Sequence, residues 1–359
     1  MATNGYLLEV NGLMKSYPIS RGILGTLLRR PQRWVRAVDG ISFKMEHGEI
    51  LALVGESGSG KTTTGLCALG LVEPTAGQVF LEGTDVIALT RSPRKKELRQ
   101  KAQLVFQDPY ESLNPRQTVF DAVAEPLEVH HLASSEADKA ARVSAAIEAA
   151  GLRPASDFFN RYPQELSGGQ RQRVVIAGAI VLNPNLLVAD EPVSMLDVSI
   201  RAEILELLSG LRSERGITIL YITHDLATAA FLADRVAVMY LGVIVEIGPA
   251  KSVLSNPYHP YTRALMSVIP VPNPRRRAKR TVLRGETPDP TDLPSGCRFH
   301  PRCPEVKEEC RRMVPVLEEV DDGHYTMCGM PRRAESDQLP MSDPDGEDSL
   351  GSGLGMLRT

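Results

Sequence analysis

The chain has 359 residues, of which 42% are hydrophobic and 24% charged, and its formal net charge is -3 at pH 7. A chain of this length is more than one average domain, so two modules are the natural expectation. The slightly acidic balance provides no overall positive field for nucleic acid, and no apolar run is long enough to span a bilayer. The first residues also lack the pattern of a secretory signal peptide. Composition therefore predicts a soluble globular protein of the cytosol and excludes nucleic acid as the default partner.

Short strands are predicted near the N-terminus, at Leu7 to Val10 and at Ile41 to Met45. Between them lies a basic insertion from Arg21 to Arg36 that contains the only tryptophan, Trp34. We interpret the insertion as a surface loop, with contact to a membrane edge or a partner as the alternative. Alternating apolar residues predict further strands from Gly77 to Val86.

The stretch from Thr118 to Leu152 has helical spacing, with breaks predicted near Pro126 and before Ser135. It is interpreted as a small helical subdomain. Beyond it, short apolar strands alternate with helices. The strands are Leu104 to Phe106, Leu186 to Ala189 and Ile217 to Thr223, and the helices are Gln170 to Leu182, Ile200 to Arg215 and Leu226 to Ala233. This alternation predicts a parallel sheet covered on both faces, closed by a hairpin from Val236 to Ile247.

The segment Gly55 to Thr63 fits the phosphate-binding pattern G-x-x-x-x-G-K-[ST]. It lies between an apolar strand, Ile50 to Val54, and a predicted helix, Thr63 to Leu71, which is the setting that the pattern requires. Backbone N–H groups of the turn would hold phosphates, Lys61 would reach them, and Thr62 can bind magnesium. The predicted ATP-binding residues of this loop are Gly55, Ser57, Gly58, Gly60, Lys61, Thr62 and Thr63.

A second glycine-containing segment, Leu166 to Gln170, lies more than a hundred residues further along. In it Gly168 and Gly169 open a predicted helix behind Ser167, and the start of a helix attracts anions. A single nucleotide site in a single chain does not need this second anion site. Together the two segments indicate that ATP is shared between two protein surfaces.

Polar side chains follow three of the predicted strands. Asp190 and Glu191 come directly after the strand Leu186 to Ala189, where Asp190 can hold magnesium and Glu191 can polarise an attacking water. His224 follows the next strand and is predicted to contact the γ-phosphate, although a lone histidine is more often structural. Gln107, after a third strand, is a candidate for magnesium or the attacking water. In α/β proteins such strand ends form the ligand-binding edge of the sheet.

From about Leu7 to Gly248 the chain resembles the ABC ATPases, the nucleotide-binding subunits of ATP-driven transporters. The motifs that match are the phosphate loop, Gln107 of the Q-loop, the signature Leu166 to Gln170, Asp190 with Glu191, the D-loop Ser194 to Asp197 and the switch His224. The resemblance implies an α/β fold of the P-loop NTPase class. Its expected parts are a mostly parallel core, an antiparallel β subdomain, a helical subdomain at about 108–183 and a small loop-rich C-terminal domain.

The resemblance also implies the roles of individual residues. Catalysis would fall to Glu191, His224 and Gln107, and the magnesium ligands would be Thr62, Gln107 and Asp190. In the family two subunits face head to tail, and each ATP closes between one phosphate loop and the signature of the other subunit. The residues expected to act in trans are Ser167, Gly168, Gly169 and Gln170 of the signature, and Asp197 is the matching residue of the D-loop. Tyr17 matches the aromatic residue that stacks on adenine, with a plain surface tyrosine as the alternative.

Two further segments resemble the oligopeptide and dipeptide importers of this family: Asp108 to Arg116 and Asn256 to Thr262. In this subgroup the C-terminal region carries cysteines, which here are Cys297, Cys303, Cys310 and Cys328. Four thiolates in one loop-rich module can hold zinc or an iron–sulfur cluster. The relatives favour a [4Fe-4S] cluster, while zinc and free thiols remain alternatives because the spacing is not that of a C-x-x-C site. Cys67 is most simply a buried core residue.

The resulting hypothesis is an ATP-hydrolysing subunit of a membrane importer, with ATP and Mg²⁺ as cofactors and oligopeptides or dipeptides as cargo. An oligosaccharide importer is the alternative, and an ATPase of DNA repair is a more distant one. The expected partners are a second ABC ATPase in a heterodimer, two transmembrane permease subunits and an extracytoplasmic binding protein. The expected location is the cytoplasmic face of a prokaryotic membrane. The predicted divisions of the chain are 1–249 for the nucleotide-binding domain, 250–333 for the C-terminal domain and 334–359 for a disordered tail, whose composition cannot bury enough apolar surface to fold.

Overall fold

The computed structural model describes residues 5–21, 32–268, 283 and 285–330. The predicted tail at 334–359 and residues 22–31 of the predicted basic insertion lie outside these residues. No helix in the described part of the chain combines the length and the apolar character that crossing a membrane requires.

The strands form a central sheet and a smaller antiparallel sheet. In chain order they are β1 Tyr6–Pro18, β2 Trp34–Glu46, β3 Ile50–Val54, β4 Ala76–Leu81, β5 Thr84–Asp85, β6 Ala102–Val105, β7 Leu186–Asp190, β8 Thr218–Thr223, β9 Arg235–Tyr240, β10 Val243–Pro249, β11 Glu318–Asp321 and β12 His324–Thr326. The helices are α1 Lys61–Ala68, α2 Val86–Thr90, α3 Lys95–Lys101, α4 Pro109–Ser112, α5 Val119–His130, α6 Glu136–Ala149, α7 Gly168–Ile180, α8 Val198–Arg215, α9 Leu226–Leu232, α10 Ala250–Ser255 and α11 Pro260–Ser267.

The central sheet is parallel through β9, β3, β8, β7 and β6 and continues antiparallel through β10, β12 and β11. Strand β3 shows how the core is divided, because its side chains alternate between two hydrophobic clusters. Ile50, Ala52 and Val54 belong to one cluster, and Leu51 and Leu53 to the other. Since successive side chains of a strand point to opposite faces, both faces of the sheet are covered, as the apolar runs predict.

The smaller sheet has the order β2-β1-β4-β5 and corrects the sequence-based boundaries. Strand β2 begins at Trp34, so Trp34 to Arg36 pair with β1 and do not belong to the predicted surface loop. The register between β1 and β2 shifts at four places, including Val10/Leu13. Such bulges interrupt the alternation of apolar residues, so the sequence indicates only part of each strand, Leu7 to Val10 in β1 and Ile41 to Met45 in β2.

The helical subdomain is formed by α4 to α7, and one prediction for it is wrong. Helix α5 continues through Pro126 to His130 and does not break there. A proline removes one hydrogen bond to the carbonyl four residues earlier, here that of Ala122. The helix persists because the side chains of Val123 and Leu127 are completely buried and because Thr118 begins it with a capping box. It ends at His130, and the next residue, His131, has a left-handed backbone with a φ of 55°.

The C-terminal segment is the part of the chain after β10, of which the structure describes residues 250–268, 283 and 285–330. It joins the central sheet through a buried carboxylate of β10, Glu246. Strand β12 pairs with β10 at this residue, opposite Thr326. The Glu246 side chain accepts hydrogen bonds from the backbone N–H groups of Tyr258 at 2.7 Å and His259 at 3.0 Å, and it lies 2.8 Å from Nε2 of His324. A fully buried carboxylate is tolerated only when it is hydrogen-bonded in this way. The segment Asn256 to Thr262 is therefore fastened to the core sheet.

Candidate active site

Four neighbouring strands deliver the predicted polar residues to one edge of the central sheet. The phosphate loop follows β3, Glu191 follows β7, and His224 follows β8. Gln107 lies two residues beyond the end of β6. Because these strands are parallel, their carboxyl ends meet at the same edge. The structure thus places Gln107, Glu191 and His224 beside the loop.

The phosphate loop has the backbone of an anion site. Gly58 and Gly60 have positive φ angles of 77° and 105°, which residues with a side chain rarely adopt. A Cβ added at Gly60 would stand 2.2 Å from the carbonyl oxygen of Ala37. Gly60 is also the N-cap of α1 and supplies no side-chain cap. The first N–H groups of α1 are therefore available to a phosphate at the positive end of the helix dipole.

Lys61 lies inside this loop with only 5% of its surface exposed. Its Nζ donates hydrogen bonds to the carbonyl oxygens of Gly55 at 2.8 Å and Glu56 at 3.0 Å. Burial lowers the pKa of Lys61, while the nearby carboxylates of Glu191, Asp190 and Glu56 oppose that lowering. A buried lysine bonded only to carbonyl oxygens is ready to receive an anion, since phosphate oxygens are stronger acceptors than neutral carbonyls.

Thr62 and Asp190 form the candidate magnesium site. The Thr62 hydroxyl donates a hydrogen bond to Oδ1 of Asp190 over 3.2 Å. Burial raises the pKa of Asp190, and the neighbouring Glu191 charge adds to this, while the Thr62 hydrogen bond and Lys61 oppose it. Hydroxyl and carboxylate oxygens are the ligands that Mg²⁺ prefers, with phosphates and water completing its shell. The two side chains fit a magnesium ion that arrives with a nucleotide.

Glu191 is the centre of the cluster at the sheet edge. Its Oε2 accepts a hydrogen bond from Nε2 of Gln107 at 3.3 Å and lies 3.0 Å from Nδ1 of His224. The Glu191 backbone has a φ of 46° and donates its N–H to the carbonyl of Ile222 at 2.9 Å. A left-handed backbone at a residue other than glycine costs free energy and is concentrated at functional sites. The fold therefore strains this residue to hold its carboxylate at the edge.

The phosphate loop and the Glu191 cluster surround one cavity of about 850 Å³, whose described lining does not include the predicted Gly55 and Asp190. The predicted residues that line it are Tyr17, Ser57, Gly58, Gly60, Lys61, Thr62, Thr63, Gln107, Glu191 and His224. The Tyr17 ring is at the rim, with Nζ of Lys15 lying 5.0 Å from the ring centre. The cavity is large enough for a nucleotide.

Five lining residues were not predicted: Val35, Ala37, Glu56, Leu265 and Pro290. Val35 and Ala37 belong to β2, whose beginning the sequence pattern did not indicate. Glu56 occupies a variable position of the phosphate-loop pattern. Leu265 and Pro290 come from the C-terminal segment, about 200 residues away in sequence, and no local signal could have placed them here.

The signature residues are absent from the described lining of this cavity. Ser167 caps α7, because its Oγ accepts the N–H of Gln170 at 3.2 Å while Oε1 of Gln170 accepts the N–H of Ser167 at 3.0 Å. A hydroxyl that accepts one bond can still donate its own proton to a phosphate. A Cβ added at Gly169 would stand 2.6 Å from Cγ2 of Ile200 in α8, which explains the need for glycine there.

Comparison with known proteins gives the family. Residues 38–194 match the family described as ABC transporter, and residues 245–310 match the one described as oligopeptide/dipeptide transporter, C-terminal region. The chain is 46% identical over 307 residues to the oligopeptide transport ATP-binding protein YkfD of Bacillus subtilis, covering 85% of this chain and 92% of that protein. It is 43% identical over 324 residues to AppF, an oligopeptide transport ATP-binding protein of the same organism, covering 90% and 96%. The chain belongs to the ABC transporter family, in its oligopeptide/dipeptide group.

Solved structures agree with this assignment. The ATP-binding cassette MJ0796, a dimer in a post-hydrolysis state bound to ADP and Pi, is 29% identical with a TM-score of 0.59, covering 68% of this chain and 98% of that one. CbiO1 from Clostridium perfringens, part of the ABC transporter complex cbiONQ, is also 29% identical with a TM-score of 0.58, covering 70% and 91%. The chain is an ABC ATPase, and its fold is that of the P-loop NTPases, as predicted.

The four cysteines of this ABC ATPase line a second cavity, of about 280 Å³. All four are free thiols, and burial raises the pKa of Cys297, of Cys328 and, to about 11, of Cys303. Within the described residues, however, no three or more histidine, cysteine or carboxylate side chains are grouped so that they could hold a metal ion. The cysteines line one cavity, but the predicted metal site is not preformed. Cys67 is fully buried in the core, as expected.

Proposed function

We propose that this ABC ATPase powers the import of oligopeptides or dipeptides. The relatives that share 43–46% of its residues over at least 85% of the chain are named for oligopeptide transport. The observation that carries the catalytic part is the position of Glu191, whose carboxylate is held by both Gln107 and His224 at the mouth of the phosphate-loop cavity. We propose the divisions 1–249 for the nucleotide-binding domain and 250–333 for the C-terminal domain.

Each residue of the site would have its own role in ATP binding and hydrolysis. The N–H groups at the start of α1 and the Lys61 ammonium bind the phosphates, and Tyr17 stacks on the adenine. Thr62, Asp190 and Gln107 hold Mg²⁺, which neutralises phosphate charge when it is bound. Glu191 accepts a proton from water as the water oxygen bonds to the γ-phosphorus and the bond from that phosphorus to the ADP oxygen breaks. His224, beside Glu191, donates a hydrogen bond to the departing phosphate.

The second half of each site would come from another subunit. The free Ser167 O–H and the N–H groups of Gly168 and Gly169 form an anion site that the chain's own cavity does not use, while Gln170 closes the cap by donating its N–H to Ser167. We propose that they bind the γ-phosphate held by a partner ATPase, with Asp197 near the same interface. A different ATPase subunit as that partner, two permeases and an extracytoplasmic binding protein complete the proposed importer, with this chain at the cytoplasmic face of the membrane.

Uptake measurements test the cargo. Cells that lack this chain should lose the uptake of labelled oligopeptides or dipeptides and keep that of oligosaccharides. The wild-type chain should restore peptide uptake, whereas Lys61→Ala should not, because Lys61 is the buried cation of the phosphate loop. Loss of oligosaccharide uptake with normal peptide uptake would assign the chain to a sugar importer.

For the four cysteines we propose a bound metal group, a [4Fe-4S] cluster in preference to zinc. The support is the donor set, since four half-buried thiols line one cavity, and soft thiolates suit both groups. Binding would require the side chains to move together, because they are not grouped for coordination in the described structure. Anaerobic purification followed by iron, sulfide and zinc analysis tests the proposal. About four irons per chain, lost in Cys297→Ser, are expected for the cluster, and a chain without metal would refute both groups.

A further inference from the structure

The C-terminal segment holds the phosphate loop through Glu56, in addition to the bond from the Gly242 N–H to the Ser59 carbonyl at 2.9 Å. The backbone N–H of Glu56 donates to the hydroxyl of Tyr261 at 3.0 Å. Its carboxylate accepts two hydrogen bonds from Arg302, at 2.8 and 3.2 Å, and one from Thr287 at 2.8 Å. All three partners belong to the segment that follows the nucleotide-binding domain. Phosphate binding by the loop does not itself require an acid here, since the pattern leaves this position open.

The Arg302 side chain, which forms the ion pair with Glu56, is itself tightly packed. It is only 9% exposed, and its guanidinium lies 5.9 Å from the centre of the Tyr240 ring. Tyr240 packs against Tyr261 and Phe299, with ring centres 4.8 and 5.3 Å apart. A paired arginine with this little freedom fixes the position of the carboxylate that it binds.

The residues on either side of Arg302 line the cysteine cavity. Phe299 and Cys303, on either side of Arg302, line that cavity. On the nucleotide side, Pro290 lines the ATP cavity, and its carbonyl accepts the N–H of Arg36 at 3.4 Å. The C-terminal segment therefore lines both cavities, and Arg302 lies in sequence between two residues of the cysteine cavity while it pairs with Glu56 of the ATP cavity.

Arg302 also changes the electrostatics of the loop. Burial alone would raise the pKa of Glu56, but the hydrogen bonds from Arg302 and Thr287 and the Arg302 charge lower it. Glu56 is therefore ionised next to a loop that binds the most negative part of ATP. An unpaired carboxylate at this place would repel phosphate, and the arginine neutralises it.

We infer that Arg302 is a positioning residue for ATP. Acting through Glu56 and together with Tyr261, it fixes the phosphate loop. ATP affinity therefore depends on the C-terminal segment, whose cysteines line the second cavity. This inference rests on the proposed ATP site. Arg302 does two things here, since it holds the loop in place and cancels the charge of Glu56. The two effects can be separated because only the second disappears when Glu56 loses its charge.

The experiment measures equilibrium binding of MgATP to the full-length chain, with hydrogen exchange of residues 55–61 followed in parallel. Arg302→Gln should weaken ATP binding by about 5-fold to 150-fold, the usual range for coupling between a distant group and a ligand site, and should speed exchange in the loop. Adding Glu56→Gln to Arg302→Gln should restore part of the affinity, because the repulsive charge is gone. Tyr261→Phe removes one hydroxyl from an otherwise intact core and should speed exchange at Glu56.

Arg298→Gln is the matched control. Arg298 lies in the same segment and is similarly shielded, but it binds Asp39 and the carbonyl of Leu241 and does not contact the loop. It should leave ATP affinity unchanged. If the wild type binds ATP and Arg302→Gln binds it equally well with unchanged loop exchange, the inference is wrong. The same holds if Glu56→Gln restores nothing. A wild-type chain that fails to bind ATP would instead refute the proposed ATP site.

Discussion

Replacing Glu191 with glutamine is expected to lower ATP hydrolysis by the assembled transporter about 100-fold to 10,000-fold, the usual contribution of a positioned general base. Glutamine has nearly the same shape, and its amide oxygen can still accept from Gln107 and His224, so the cluster should stay together. ATP binding should therefore persist while the chemical step is lost. Steady-state phosphate release, measured beside equilibrium ATP binding, separates the two effects.

Glu206→Gln provides the control for this substitution. Glu206 lies on the exposed surface of α8, away from the sheet edge, and undergoes the same chemical change. It should hydrolyse ATP at the wild-type rate. Unchanged hydrolysis by Glu191→Gln would show that another group takes the proton from water, and His224 would then be the next candidate because it lies 3.0 Å from the same carboxylate oxygen.

Replacing Ser167 with aspartate should lower hydrolysis by the complex about 100-fold to 1,000-fold, the effect of losing one donor to the charge that develops in the transition state. Aspartate is as good a helix N-cap as serine, so α7 should keep its start. The substitution nevertheless places a negative charge where we propose that the partner's γ-phosphate binds. ATP binding by the isolated chain should be unchanged, since Ser167 does not line its own cavity.

The control for this substitution lies in the same helical subdomain. Ser135 caps α6 by accepting the N–H of Asp138 at 3.1 Å, as Ser167 caps α7. Ser135→Asp makes the same change at a helix start that has no proposed role in ATP binding, and it should leave hydrolysis unaffected. Equal losses in both variants would point to damage to the subdomain and not to a phosphate contact.

The sequence predicts those parts of the site that depend on a local motif or on the shared edge of parallel strands. The loop Gly55 to Thr63 was recognised because its glycines and Lys61 have a fixed spacing. Glu191 and His224 could be placed near it because each follows an apolar strand, and the ends of parallel strands share an edge. Ser167 is predicted to precede a helix start because Gly168 and Gly169 open the helix directly behind it.

The remaining features depend on contacts that are distant in sequence. Nothing near Glu56 predicts a bond to Arg302, which is 246 residues away. The hairpin of β11 and β12 looks like a charged loop because Glu318, Glu319 and Asp321 precede its turn, yet pairing with β10 makes it part of the sheet. The low helix propensity of proline predicts a break at Pro126, whereas the burial of Val123 and Leu127 keeps the helix continuous. Tertiary contacts decided each of these cases.

The dependence of ATP hydrolysis on chain concentration tests most directly whether each site is closed by two subunits. We predict that the full-length chain hydrolyses ATP slowly when dilute and that its rate per chain rises with concentration or on addition of its partner ATPase. Ser167→Asp should suppress that rise. A full rate per chain that is constant at every concentration, and equal in Ser167→Asp, would show instead that one chain contains a complete site.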